Sequence, residues 1–101
     1  MYKKFNSISE ISNNAIIFKH SNACPTSFRA KEEVDKIAKN NDVNIIIVQE
    51  NRKLSNEIEE HYKIKHESPQ IIIIKSGKVI GKLNHFDIKE EEINKILTKS
   101  D

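Results

Sequence analysis

Short, mostly apolar runs set between polar stretches lay out the plan of this chain: Ala15-Ile16-Ile17-Phe18, Val43 to Val48, Ile71 to Ile74 and Val79 to Leu83. Compact apolar runs of this length predict strands buried in the sheet. Between the first two runs, Phe28, Val34, Ile37 and Ala38 recur with helical spacing, interleaved with Lys31, Glu32, Glu33 and Lys36. They predict a helix with those apolar residues inward. It starts at Pro25, whose missing N–H would have no intrahelical partner in the first turn, and stops near Asn40-Asn41-Asp42. Leu54, Ile58 and Tyr62 share one stripe and predict a second helix from Arg52 to Tyr62. The stretch from Ile64 to Pro69 is a non-helical connection, because a residue before proline is biased away from the helical region. Ser76-Gly77 predicts a tight turn joining the last two strands. Lys89 to Lys99 closes the chain as a helix, with Ile93, Ile96 and Leu97 inward and acids in its first turn. Ahead of all this, Phe5, Ile8 and Ile11 fit a short amphipathic helix or a loosely docked arm over residues 1–13, ended by Asn13-Asn14.

The order is (α)βαβαββα. Strands that alternate with helices need crossover connections, so parallel pairing is expected among the first three, with the last two forming a hairpin. The expected fold is α/β, a four-stranded mixed sheet with helices on both faces, which is the thioredoxin-like architecture. The 101 residues make a single domain over 1–101, without a repeat or a Pro/Gly/Ser-rich linker.

Composition narrows the classes of function. Seventeen basic against fifteen acidic residues leave a net charge of +2, too little to argue for a nucleic-acid or membrane partner. Hydrophobic content is only 37%, but its concentration in runs supplies a core and argues against disorder. No apolar stretch nears the roughly 20 residues of a membrane span. Met1-Tyr2-Lys3-Lys4-Phe5-Asn6 lacks the apolar region of a signal peptide. The single cysteine, Cys24, excludes an intrachain disulfide and any multi-cysteine metal site. A reducing, cytoplasmic setting is expected.

Cys24 follows a predicted strand and precedes a predicted helix. A thiol there would meet unpaired N–H groups and the positive end of the helix dipole, which favour the thiolate, the nucleophile of disulfide exchange. Pro25-Thr26-Ser27 completes a C-x-x-S pattern. Ser27 stands where a C-x-x-C motif has its second cysteine; it can hydrogen-bond the thiolate but cannot close a disulfide. The bland alternative is that Cys24 is a small buried hydrophobe. Pro69 stands just before a predicted strand. An X-Pro bond is trans by default, and only the thioredoxin-like context argues for cis at this place.

The stretches Phe18-Lys19-His20-Ser21-Asn22-Ala23-Cys24-Pro25-Thr26-Ser27, Lys65-His66-Glu67-Ser68-Pro69-Gln70 and His85-Phe86-Asp87-Ile88 resemble the signature blocks of the bacillithiol-system YtxJ-type proteins, the monothiol bacilliredoxins. The resemblance runs in order from Ile16 to about Ile88. It implies a thioredoxin-like fold and a thiol–disulfide exchange role, removing the low-molecular-weight thiol bacillithiol from protein cysteines. The family commonly carries Thr where this chain has Ala23 and Trp where it has Phe86.

On this reading Cys24 is the nucleophile and Ser27 its catalytic neighbour. His20, Thr26, Ser68, Pro69 and His85 are the expected substrate contacts, the backbone of Ser68 aligning the incoming disulfide. Lys19 and His20 would supply positive charge near the thiolate or a carboxylated ligand; for Lys19 a solvated loop-edge lysine is the plain alternative. Asp87 is expected to cap the final helix. The four histidines form no visible zinc set and are expected as polar or hydrogen-bonded residues. The expected co-substrate is a low-molecular-weight thiol, with no tightly bound cofactor. The expected partners are S-thiolated proteins and a second small thiol or redoxin for recycling, acting on a monomer. Two other classes stay open: a non-catalytic thioredoxin-like protein-binding module, and a redox sensor capped at Cys24.

Overall fold

A computed structural model describes residues 1–23 and 25–98. Its strands are β1 (Tyr2–Lys4), β2 (Ala15–His20), β3 (Val43–Ile47), β4 (Gln70–Lys75) and β5 (Lys78–Asn84). Its helices are α1 (Pro25–Ala38), α2 (Arg52–Tyr62) and α3 (Glu90–Leu97). They form one five-stranded sheet in the order β1-β3-β2-β4-β5.

Alternation along the central strands explains why both faces are covered. Successive side chains in a strand point to opposite sides. Ile16, Phe18, Ile71 and Ile73 therefore pack with Ala30, Val34 and Ile37 of α1 and Ile93 of α3. Ile17, Ile72 and Ile74 pack with Leu54 and Ile58 of α2, together with Phe5 and Ile64. The unbroken isoleucine run of β4 thus feeds two cores, each buried side chain contributing about 1.5–3 kcal/mol.

Three expectations are corrected. The segment before Asn13 is neither a regular amphipathic helix nor a loosely docked arm: Tyr2–Lys4 adds a parallel edge strand to β3, and Ile8–Glu10 makes one 3-10 turn. The strand was invisible in the hydropathy because it is short and polar, and Phe5 just beyond it is buried beside α2. The sheet consequently has five strands rather than four.

The second correction concerns direction. β2 and β3 are parallel, but β4 runs antiparallel to β2, with Ile17 opposite Ile72 and Lys19 opposite Gln70. Lys63 takes a left-handed conformation (φ 56°) and ends α2. The connection that follows returns the chain to the sheet at the same end where β3 left it, so α2 is not a parallel crossover. Thirdly, Phe28 was expected inward and is 52% exposed.

The β4–β5 turn is as predicted. Ser76 and Gly77 both have positive φ (54° and 76°), as a type I′ hairpin requires. Asn14 and Asn13 brace it, accepting from the Ser76 and Gly77 amides at 3.1 and 2.9 Å. No helix of the described residues is long and apolar enough to cross a membrane.

Candidate functional site

The loop leaving β2 is held by its own polar atoms. The Ser21 amide donates to Ser27 Oγ at 2.9 Å, tying the end of the strand to the first turn of α1. Gln49, just after β3, donates from Nε2 to Ser21 Oγ at 2.7 Å and accepts from the Asn22 amide at 3.1 Å. Ser27 is fully buried, and among the described residues its hydroxyl hydrogen has no acceptor. Cys24 lies outside the described residues, so its expected roles are not tested by geometry. Its neighbours in sequence, Ala23 and Pro25, are both exposed, and Pro25 is the first residue of α1.

The second proline lies at the same end of the sheet, because β2 ends and β4 begins there. The Ser68–Pro69 peptide is cis. The His85 amide donates to the Pro69 carbonyl at 3.0 Å, and His85 Nε2 is 2.9 Å from Glu67 Oε1. Gln70 Nε2 donates to Lys65 O and Asn84 Oδ1 at 3.0 and 2.9 Å, fastening the loop to β5. Among the described residues, three buried polar atoms have no partner: His20 Nδ1, Ser68 Oγ and Gln70 Oε1. Orphans of this kind are uncommon in a packed protein.

His20 and Lys19 diverge. His20 is the last residue of β2 rather than part of the loop, and its ring packs between Phe18 and Phe28 at centroid distances of 5.5 and 5.8 Å. Burial, aided by nearby Lys31 and opposed by Asp35, pushes its imidazole below the ordinary value. It is therefore a neutral polar group near pH 7, not the source of positive charge expected.

Lys19, one position earlier, points to the α2 side. It is neither a solvated lysine nor a neighbour of the α1 start. Fully buried, it donates from Nζ to Ser55 O at 3.1 Å and lies 3.1 Å from His66 Nδ1. Burial brings its ammonium down to about 8, with Glu59 acting in the opposite direction. His66 is lowered as well, by burial and then by Lys19, while its amide donates to Glu59 Oε2 at 2.7 Å.

Beside the start of α1 opens a groove of about 320 Å³ lined by Thr26, Arg29, His85, Phe86 and Lys89, among others. Phe86 is largely exposed. A groove of like volume, bounded by Asn14, Ile16, Asp42 and Leu97, lies at the other end of β2. Asp87 is not the cap of the last helix. It is exposed within a 3-10 turn over His85–Asp87, and the residue before α3 is Lys89, which makes no side-chain cap. Glu33 of α1 serves instead, accepting from the Glu90 amide at 2.9 Å.

The structure thus gathers His20, Thr26, Ser27, Ser68, Pro69 and His85 at one end of the sheet and sends Lys19 to the opposite face. Sequence reasoning missed Gln49, Glu33 and the Ser55–Glu59 side of α2. Only their tertiary neighbours single them out. Among the described residues no group of three or more His, Cys, Asp or Glu could hold a metal.

A mixed sheet covered on both faces, with a helix starting at the C-x-x-S segment and a cis-proline turn beside it, defines a thioredoxin-like domain. A solved structure described as a candidate oxidoreductase with a thioredoxin fold is 28% identical and superposes with a TM-score of 0.86, covering 95% of this chain and 93% of that one. Thioredoxin from Trypanosoma brucei brucei shares the fold at 15% identity and a TM-score of 0.68, over 96% of this chain and 88% of its own. Thioredoxin from Aeropyrum pernix does so at 19% and 0.58, over 83% and 75%. Residues 2–93 match the profile of the monothiol bacilliredoxin BrxC, and the chain belongs to that family. Family and fold together support a thiol oxidoreductase-type role.

Proposed function

We propose that this protein is a monothiol thiol–disulfide oxidoreductase that removes a low-molecular-weight thiol, bacillithiol in the first instance, from protein mixed disulfides through Cys24. The pairing of Lys19 with Gln70 carries the reading: it sets the strand leading to the C-x-x-S segment beside the strand headed by Pro69. A disulfide laid along the Ser68–Pro69 turn would then lie close to the start of α1.

In the first step the Cys24 thiolate attacks the small-thiol sulfur of the mixed disulfide. A Cys24–S–S–small-thiol bond forms, the target's S–S bond breaks, and the target leaves as thiolate. In the second, another small thiolate attacks that adduct, releasing a symmetrical small-molecule disulfide and restoring the Cys24 thiolate. Electrons and atoms balance with the small thiol as reductant, and no bound cofactor is needed. Ser27, whose hydroxyl hydrogen has no acceptor among the described residues, is suited to donate to the thiolate. Arg29 and Lys89, against the single carboxylate of Glu33, bring net positive charge to the groove beside Thr26 and His85, which suits a carboxylated thiol.

The test is mass spectrometry of the protein after exposure to oxidised bacillithiol, glutathione and cysteine, followed by discharge with the reduced thiols. The reading expects a single adduct on Cys24 that turns over, and none in Cys24→Ser. A stable adduct without discharge would indicate a sensor. Partner binding that survives Cys24→Ser without turnover would indicate a binding module.

A further inference from the structure

Lys19 stands five positions before Cys24 in the sequence and is fully buried. An ammonium in such a place is costly unless its donors are engaged. Its partners converge on one segment. Through its backbone it pairs with Gln70, the residue after Pro69. Through Nζ it reaches His66, three residues before Pro69. Lys19 therefore grips the segment 66–70 at both ends, with the Ser55 carbonyl of α2 as the fixed point. An ammonium only donates, so His66 Nδ1 accepts, as it does from Ser55 Oγ at 3.2 Å, and the ring proton sits on Nε2.

The charged groups around this contact are Glu59 of α2, which faces Lys19 and holds the His66 amide, and Glu67 and Arg52, which act on His66.

We propose that Lys19 is a positioning residue of the site: its ammonium, bridging Ser55 and His66, holds the Ser68–Pro69 turn at the spacing from the Cys24 loop that an incoming disulfide needs. Its catalytic consequence rests on the redox reading above, whereas the clamp is a property of the fold. Burial brings this ammonium down to about 8, so the clamp weakens within an accessible alkaline range.

Lys19→Met and His66→Gln test the clamp from its two sides. Amide hydrogen exchange at residues 66–68 is expected to quicken roughly tenfold in each near pH 7, the scale of one lost charged hydrogen bond, while α3 is unchanged. The double variant should exchange no faster than the quicker single one, because both remove the same contact. In turnover, Lys19→Met should raise KM for the mixed disulfide with little change in kcat. That difference should shrink by about pH 9.5, where the wild type has lost the same charge. Unchanged protection at 66–68 in both variants, or a KM ratio that stays constant with pH, overturns the proposal. A wild type that discharges no adduct would sink the redox reading alone, and the exchange data would still decide the clamp.

Discussion

The hydroxyl oxygen of Ser27 accepts the backbone N–H of Ser21 at 2.9 Å, so the residue in the place of a second redox cysteine also fastens the loop that carries the first. Ser27→Ala removes the acceptor and leaves a buried amide unpaired, a loss of about 1–3 kcal/mol. Urea unfolding should show that decrease, and discharge of the Cys24 adduct should slow without stopping. Unaltered stability would mean the Ser21 amide finds another partner.

Lys19 makes stability depend on pH in the alkaline range. Its ammonium is lowered from 10.5 to about 8 on folding. Below pH 8 both states are protonated and the fold bears the full burial cost. Between about 8 and 10.5 the unfolded chain binds more protons, so this group's contribution to stability rises with pH. The whole change amounts to about 3 kcal/mol. The stability of the wild type relative to Lys19→Met should therefore rise by about 3 kcal/mol between pH 7 and pH 10, as measured by denaturant unfolding. A flat difference across the range would count against it.

His20 and His66 act at the acid end. Both are lowered from 6.5, chiefly by burial, so stability is intact above that value. As pH falls below it, the unfolded chain takes up protons first and the fold is destabilised. The melting temperature should drop as pH falls below about 6.5. His20→Phe, which keeps the packing with Phe18 and Phe28, should drop less.

Gly81 of β5 lies under α3. A Cβ at this position would sit 2.8 Å from Ile96 Cδ1 and 2.9 Å from Ile96 Cγ2. The second of these is attached to Cβ, so Ile96 must leave its χ1 rotamer or α3 must shift, and Gly81→Ala should cost about 1–3 kcal/mol. Adding Ile96→Ala removes the obstructing atoms. The pair should then be less destabilised than the sum of the singles. Strict additivity would show that α3 is free to move.

Much of the site could be seen in the linear pattern because its parts are local: a strand, a C-x-x-S segment and a proline-started helix follow one another in the chain. Pro69 and His85 were legible only through their motifs. That the His85 amide meets the Pro69 carbonyl depends on the β4–β5 hairpin register, which spacing alone does not express. Asp87 was assigned a cap that Glu33 supplies from another helix. Local rules find caps within a segment and cannot see one that crosses space.

By itself the amino-acid order determined the succession of strands and helices, since hydrophobic periodicity is a local property. It also determined that Ile71 to Ile74 would be buried on both sides, because an unbroken apolar run leaves no face for water. Tertiary structure decided the rest. A polar N-terminal segment found an open sheet edge, β4 entered against β2 instead of along it, and Lys19 met the Ser55 carbonyl and His66. Each of these depends on which neighbour happens to offer an unpaired backbone or a carbonyl, and such neighbours are far away in the chain.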